Sequence, residues 1–590
     1  MKTKRLLTAL LCLTAFALVT NAKTVYCSYN GKDTNNGLSW ATAVLSPDTA
    51  KARAAAGDDI WVQGDADGVS GYNSYSRTSS VSGQGNEAFK MGDLNWYGGF
   101  KGDETLLSQR QLVDNDGNGI VEPWEFKYPT RFIFDLSNGA RAFQSAPTTA
   151  RQFNGFEFWM PTNYDFSTVT AEVQMMVIGN NTLFRNNTIR DGFIKTNNAS
   201  LRPFIWNFGR MEYCLIQNNT VTGAFSGTTD IQFSPLIELN YQQNTAYVTP
   251  AIVGCVIRNN KTIADFSNST LTSLAGRQRG LLIYINLNDP AKGTPSSISD
   301  NLIYNNECSY IKSSTSPATI TGGIMGTGFN NGAGPSTIYI VNNTFANNKT
   351  SNLAGNMMLI NDGATYYPNI LNNVFWKNVK YTSGALVDPT TVEVMSKNSI
   401  MGNCFNNYAT GKSLYNNPAY PSRIAGNVTF ETGANDKALF VNPTTTAGAL
   451  TDDSYLKANW SLQTGSFLVA KGVASNQNDT VSKALNACIN DFSGRSFATT
   501  RAVGAFESGS VSSVVISGIN NPIIRNINFV VPVAGGLKLT ENGNIQVISM
   551  VGQLVISSKV EEGQVLNLNK GIYLVRLQST KGILVQKVIL

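Results

Sequence analysis

The chain contains no histidine. That absence removes imidazole acid–base catalysis, histidine metal sites and every histidine-based nucleophile triad. Cysteine is scarce, with seven in 590 residues, and no two stand in Cys-x-x-Cys spacing. Thiolate metal clusters and dithiol redox motifs therefore have no basis. Charge is thin as well, at 14% Asp, Glu, Lys and Arg. The formal net charge of +6 falls to +3 without Lys2, Lys4 and Arg5, because 42 basic side chains then face 39 acidic ones. Spread over this length, so small an excess makes no case for nucleic acid as a partner.

Long apolar runs are confined to the start. Leu6 to Val19 follows a basic opening and ends at Thr20-Asn21-Ala22, a small-residue cleavage site. Residues 1–22 thus read as a secretory signal peptide, too short for a stable transmembrane helix. Cys12 lies inside the run behind Leu11, which is too large for lipoprotein processing. With no transmembrane segment expected elsewhere, the mature chain is expected to be exported and soluble.

What is abundant is asparagine, and it recurs in a pattern. Apolar pairs closed by Asn run through Leu183-Phe184-Arg185-Asn186-Asn187, Leu215-Ile216-Gln217-Asn218-Asn219, Val256-Ile257-Arg258-Asn259-Asn260, Leu302-Ile303-Tyr304-Asn305-Asn306, Thr344-Phe345-Ala346-Asn347-Asn348 and Val374-Phe375-Trp376-Lys377-Asn378. A weaker copy is Cys404-Phe405-Asn406-Asn407. The copies begin after Thr182, Cys214, Cys255, Asn301, Asn343, Asn373 and Asn403, at intervals of 32, 41, 46, 42, 30 and 30. A second apolar segment starts 19 residues ahead of three of them, at Leu236, Leu282 and Ile324. Short strands at fixed separation with variable loops between them describe the coils of a parallel β-helix. Asn suits the sharp turn because it tolerates the left-handed region. Stacked coil upon coil, its amide both donates to and accepts from its copies. Cys214 and Cys255 occupy equivalent places in successive repeats, which predicts small buried side chains rather than a disulfide.

The ends carry more specific blocks. Asn35-Asn36-Gly37-Leu38-Ser39-Trp40-Ala41 is a turn, Pro47 to Ala56 a short helix, and Gly57-Asp58-Asp59-Ile60-Trp61-Val62 a returning strand. Trp96-Tyr97-Gly98-Gly99-Phe100-Lys101-Gly102-Asp103-Glu104 and Ser108-Gln109-Arg110 follow. Phe440-Val441-Asn442-Pro443, Asp491-Phe492-Ser493-Gly494-Arg495 and Gly504-Ala505-Phe506-Glu507 close the region. In these blocks the chain resembles secreted right-handed parallel β-helix proteins of the Bacteroidetes type, over about Lys23 to Glu507. The resemblance implies fold and capping but leaves activity open, since one fold serves many tasks.

Beyond a linker at 508–522, residues 523–590 change texture. They show period-two strands, turns at Gly535-Gly536 and Asn542-Gly543, and no Asn repeat. Ile545 to Val555, Lys570-Gly571-Ile572-Tyr573-Leu574-Val575-Arg576 and the terminal Lys587-Val588-Ile589-Leu590 resemble the C-terminal sorting domain of the type IX secretion system, a small β-sandwich. The resemblance implies handling by the type IX machinery, removal of the domain, and release or attachment at the cell surface.

One stretch stands apart from the scaffold. Asp114-Asn115-Asp116-Gly117-Asn118-Gly119-Ile120-Val121-Glu122-Pro123-Trp124-Glu125 has the spacing of an EF-hand-like calcium loop. Asp114, Asp116 and Asn118 offer side-chain oxygens, Gly119 the turn, Ile120 a carbonyl, and Glu125 a closing bidentate carboxylate. We expect a Ca2+ ion here with a structural role.

Catalytic candidates are weaker. Glu238 and Asp362 follow strand segments in adjacent-looking columns and could converge with Asp289, but their spacing is no known hydrolase motif. Arg190, Lys195, Arg202 and Arg210 gather in one early coil, as a lyase base could. Trp159 and Trp206 sit in apolar sequence and read as packing, whereas Trp376 reads as an outward sugar-stacking candidate. The expectation is an all-β chain, a right-handed parallel β-helix with an N-terminal capping helix and a C-terminal β-sandwich. Its expected role is glycan-binding and adhesin-like at the cell surface, non-catalytic, with polysaccharide or host glycan as partner. The alternative is a polysaccharide lyase or glycoside hydrolase.

Overall fold

A computed structural model describes residues 22–65, 75–78, 88–136, 141–160, 163–166, 175–196, 203–227, 236–241, 248–269, 282–287, 296–311, 323–328, 338–351, 358–359, 369–382, 385–387, 394–395, 399–401, 403–405, 424–430, 439–473, 484–485, 491–493, 496–498, 501–507, 530–533, 536–539, 542–549, 554–569, 571–579 and 582–589. Two units separate at residue 518.

In the first unit the chain coils as a right-handed parallel β-helix with four stacked sheets, of twelve, eleven, eight and nine strands among the described residues. One coil shows the rule. Thr182–Arg185 lies in the first sheet, Thr188–Arg190 in the second, Phe193–Thr196 in the third and Ile205–Asn207 in the fourth. The chain then re-enters the first sheet at Arg210–Glu212, in parallel register with Leu183, Phe184 and Arg185. The segments starting near Leu236, Leu282 and Ile324 form the fourth sheet, where Ile237 pairs Ile283 and Ile283 pairs Met325.

Each coil turns twice at an Asn-type corner. Between the first and second sheets the left-handed residue is Asn186, Tyr213, Gly254, Asp300, Asn342 or Asn372, with φ between 52° and 60°. Between the second and third sheets it is Asp191, Asn218, Asn259, Asn305, Asn347 or Lys377. The residue after each of these left-handed ones is buried. At the first corner Asn301, Asn343, Asn373, Asn403 and Asn427 form a continuous amide ladder with Nδ2–Oδ1 distances of 2.8–3.0 Å. At the second corner Asn219, Asn260, Asn306, Asn348 and Asn378 do the same at 2.9–3.0 Å. So the two asparagines of each repeat divide the labour: one bends the backbone and the next links the coils.

One repeat is out of phase with the sequence pattern. Thr188 aligns with Leu215, so the counterpart of Leu215–Asn219 is Thr188–Gly192. Leu183–Asn187 belongs to the first sheet and first corner. Both corners demand the same left-handed residue and buried amide, so their sequences look alike. Cys214 and Cys255 fill the amide position of the first ladder as buried free thiols, and the Cys255 amide donates to Asn301 Oδ1 at 2.8 Å. Inside, register stacks Ile189, Ile216, Ile257, Ile303 and Phe345, and Phe345, Phe375 and Phe405 continue as rings 5.0 Å apart.

The first coils are closed by α1 (Pro47–Arg53), which Ser46 caps through the Thr49 amide and which buries Pro47 and Ala50. Its burial covers the open end of the core, which would otherwise expose apolar side chains to water. The Trp96–Phe100 block has a packing purpose. At Gly98 a Cβ would lie 2.4 Å from the Gly155 carbonyl, and at Gly99 (φ 85°) 2.3 Å from the Phe126 ring. The bare Gly99 thus admits Phe126, at the end of the Asp114–Glu125 loop, and the bare Gly98 admits the Gly155 carbonyl. Arg110 locks the same junction, donating to Gly98 O at 2.8 Å and Asn154 Oδ1 at 3.1 Å.

After the last coils, the described residues between 439 and 507 return across the outside of the second sheet. Leu439, Phe440, Tyr455, Trp460, Leu468, Val503 and Phe506 bury against Leu302, Tyr304, Val374 and Trp376 there. This overturns the outward reading of Trp376. It does face out of the coil, but it is 3% exposed beneath Phe430 and Phe440. The second unit holds a three-stranded and a four-stranded antiparallel sheet. Val530, Leu537, Ile545, Val547, Val575 and Leu577 share one core between them, which makes it a β-sandwich.

Candidate functional site

Where the return segment stops, the outer face of the second sheet lies open as a groove of about 380 Å³. Its floor comes from Arg131, Glu157, Thr188, Arg190, Leu215 and Gln217, and its walls from the 115–129 loop and Leu456. Strand register makes the rows: Arg131 beside Glu157, Glu157 beside Thr188, and Trp159 beside Arg190 beside Gln217. Glu157 accepts from Arg131 Nε at 3.1 Å and from Arg190 Nε at 2.6 Å. The Arg190 guanidinium also pairs with Asp191 and lies 4.9 Å over the Trp159 ring. Burial works against the Arg190 charge, but Glu157 and Asp191 more than offset it and raise its pKa. Trp159 is therefore partly exposed beside Arg190 of the groove, and Trp206 likewise alternates outward in its strand. Period-two alternation carries this signal, and the apolar neighbourhood of each Trp conceals it.

The Asp114–Glu125 loop forms one wall. Carboxylate oxygens of Asp114, Asp116 and Glu125 lie within 4.8 Å of one another. Backbone amides shape the loop: Gly117 and Gly119 donate to Asp114 at 2.7 and 3.0 Å, Asn118 to Asp116 at 3.1 Å, and Ile120 to Asn118 Oδ1 at 2.7 Å. Glu125 takes the amides of Asn115 and Glu122, both at 2.8 Å. Gly117 and Gly119 have φ of 75° and 81°, which L side chains rarely adopt. The Ile120 and Trp124 side chains are buried and anchor the loop, with Trp124 6.3 Å from Phe492 of the return segment.

Two residues here escaped the sequence reading. Glu122, at the ninth position of the loop, is 3% exposed and receives Asn118 Nδ2 at 2.8 Å. Its signal was an acid at a position where such loops often place one. Arg258, 142 residues away in sequence, donates to Asp116 Oδ2 at 2.8 Å, and no local pattern announces that pairing. Desolvation dominates the electrostatics. It raises Asp116 despite Arg258, pushes Glu125 up to about 7, and with the adjacent Glu125 carboxylate lifts Glu122 well above the usual range.

Of the proposed catalytic acids, Glu238 is described and lies away from this groove. Glu238 lies on the fourth sheet, 7% exposed, holding Asn240 Nδ2 at 2.7 Å and Asn286 Nδ2 at 3.1 Å. Asp289 and Asp362 fall outside the described residues. Of the three basic candidates among the described residues, Arg190 reaches the groove. Lys195 pairs with Asp165 on the third sheet at 3.1 Å, Arg210 with Glu212 on the first, and Arg202 is outside the described residues.

Comparison with known proteins agrees on the tail. Residues 521–590 match the secretion system C-terminal sorting domain family. The chain is thus of the class exported by the type IX system to the cell surface, and among the described residues no helix is long and apolar enough to cross a membrane. No curated protein matches the chain. A solved structure titled rhamnogalacturonan lyase is similar over 74% of this chain and 98% of its own, at 12% identity and a TM-score of 0.32.

Proposed function

We propose that this exported β-helix binds an acidic glycan in the groove of the second sheet and does not cleave it. The observation that carries the reading is the composition of the floor. Arg131, Arg190 and Gln217 offer planar donors suited to carboxylate and hydroxyl groups, and the partly exposed Trp159, beside Arg190 in the same strand row, offers a ring next to them. Glycosidic hydrolysis needs two carboxylates about 5–10 Å apart, one protonated and one free. Glu157, the acid of the floor, is instead held by two arginines, and its charge serves to fix their orientation, while the wall acids Asp116 and Glu125 are held by Arg258 and by two backbone amides. Other acids of the described coils are similarly engaged: Glu212 by Arg185 and Arg210, and Glu307 by Lys349.

The test is retention of the purified full chain on immobilised acidic and neutral polysaccharides, with product analysis of the same incubations. Expected is retention on acidic polymers without new reducing ends or unsaturated uronate. Shortened polymer would replace this reading by the lyase or hydrolase alternative. Equal retention of neutral and acidic polymers would remove the charge-based account.

A further inference from the structure

We propose that the loop Asp114–Glu125 is a calcium site completed by Glu122, and that the ion fixes the groove wall to the outer face of the second sheet through Asp116 and Arg258. The site does not depend on the groove's ligand. It begins with three carboxylates whose oxygens converge within 4.8 Å. Backbone amides already hold Asp114, Asp116 and Glu125, yet each carboxylate oxygen has two acceptor positions, so ligating capacity remains.

A second observation points to a cation. The Glu122 carboxylate is buried, its Oε1 accepts from Asn118, and its Oε2 is shielded from solvent with no hydrogen-bond partner. It stands beside Glu125 and Asp116, the members of the converging set. Such an acid is costly in its charged form, so it either keeps its proton or is matched by a positive charge. A divalent ion held by the three converging carboxylates supplies that charge beside Glu122.

The donor set selects the ion. Carboxylates, the Asn118 side-chain oxygen and the Ile120 carbonyl are hard oxygens on a flexible loop, which suits calcium with six to eight ligands. Magnesium demands a tight octahedron and keeps several waters. The consequence reaches beyond the loop. Asp116 also receives Arg258, whose Nη1 donates to Tyr304 Oη at 3.0 Å, and Tyr304 Oη donates to the Tyr455 carbonyl at 3.1 Å. Loop, second sheet and return segment thus share one polar chain, and an ion at its head secures all three.

Terbium titration of the full chain reads the site, because Trp124 lies within the loop and sensitises a bound lanthanide. Expected are terbium emission that calcium displaces and magnesium at equal concentration does not, and a thermal midpoint that rises with calcium. Glu125→Gln should abolish the emission. Glu122→Gln should weaken calcium about 10-fold, the usual range for a group supporting a metal site. Asp114→Asn, at a less buried position, serves as the second variant should Glu125→Gln fail to fold. Absence of both emission and calcium-dependent stabilisation in the parent chain overturns the site. Unchanged affinity in Glu122→Gln overturns the part assigned to Glu122.

Discussion

Asn306 and Asn348 face each other across adjacent coils, the first giving both its backbone N–H (3.1 Å) and its Nδ2 (3.0 Å) to the Oδ1 of the second. Asn306 repeats the arrangement one coil earlier, where its own Oδ1 accepts the N–H and Nδ2 of Asn260 at 3.1 and 2.9 Å. Its remaining amide proton reaches the Ile257 carbonyl at 2.8 Å. Every polar atom of a fully buried side chain is therefore used. Replacing Asn306 by Ala takes the acceptor from the Asn260 N–H and Nδ2, and one donor each from Asn348 Oδ1 and the Ile257 carbonyl, in a dry interior. The expected loss is about 2–3 kcal/mol, read as a lower denaturant midpoint.

The ladder also explains what could be read from the sequence and what could not. The left-handed corner and its inward amide are local demands, so the Asn repeats announced coil and ladder together. The phase of Leu183–Asn187 was illegible because both corners impose the same two residue types. Trp376 was misread because its burial comes from residues 439–507, folded over it from afar. Arg258 stands in the same repeat as an ordinary outward residue, and only the packing of the Asp114–Glu125 loop gives it a partner. Glu122 was legible in position yet overlooked.

At the first corner two coils lack the amide, since Cys214 and Cys255 stand there. The Cys255 N–H already donates to Asn301 Oδ1, and the following coils use Asn at the same place. Cys255→Asn should add the missing Nδ2 rung and stabilise the helix by about 0.5–1 kcal/mol. In the parent chain, burial raises the Cys214 thiol well above its usual pKa and the Cys308 thiol to about 12. Neither should react with a thiol reagent until denaturant is added. Rapid labelling of either in buffer would contradict the buried placement.

Asp300 supplies a pH dependence. It holds the left-handed corner where the next coils have Asn342 and Asn372. Burial raises its carboxyl from 3.8 to about 7, against the opposing bonds from Asn342 and Ser299. The folded state therefore binds the proton more tightly than the unfolded chain. This contribution to stability is complete below about pH 4, declines as pH rises, and is lost above about 7. Asp300→Asn keeps the corner geometry and removes the titration. It should leave stability near pH 4 little changed and raise it above pH 8 by on the order of 2–4 kcal/mol, at about 1.4 kcal/mol per pKa unit. Parallel unfolding curves at every pH would refute the assignment.

Arg258 is 3% exposed and its partner Asp116 10% at the side chain. Breaking a buried ion pair from one side leaves an uncompensated charge, which typically costs about 3–5 kcal/mol. Arg258→Met preserves much of the stem volume, so the loss should come from Asp116 and Tyr304 rather than from a cavity. The double variant Arg258→Met, Asp116→Asn should recover a large part of it. Additive losses in the two single variants would show that the pair is not coupled.

The groove makes the last separation, between recognition and scaffold. Arg190 lies between Glu157, Asp191 and the Trp159 ring, with 24% of its side chain exposed. Because that pair is part-solvated, removing it should move the unfolding midpoint little, in the range of surface ion pairs at about 0–1 kcal/mol. Binding is a different matter. Arg190→Ala removes a planar cation from the floor and frees the Glu157 charge to repel an acidic polymer, so retention on acidic glycan should fall about 10-fold or more. Arg190→Lys keeps the charge but loses the fork that addresses a carboxylate through two bonds, and should fall between the two. A glycan that contacts the protein elsewhere would bind all three chains alike, and the groove would then be a feature of the β-helix without a part in recognition.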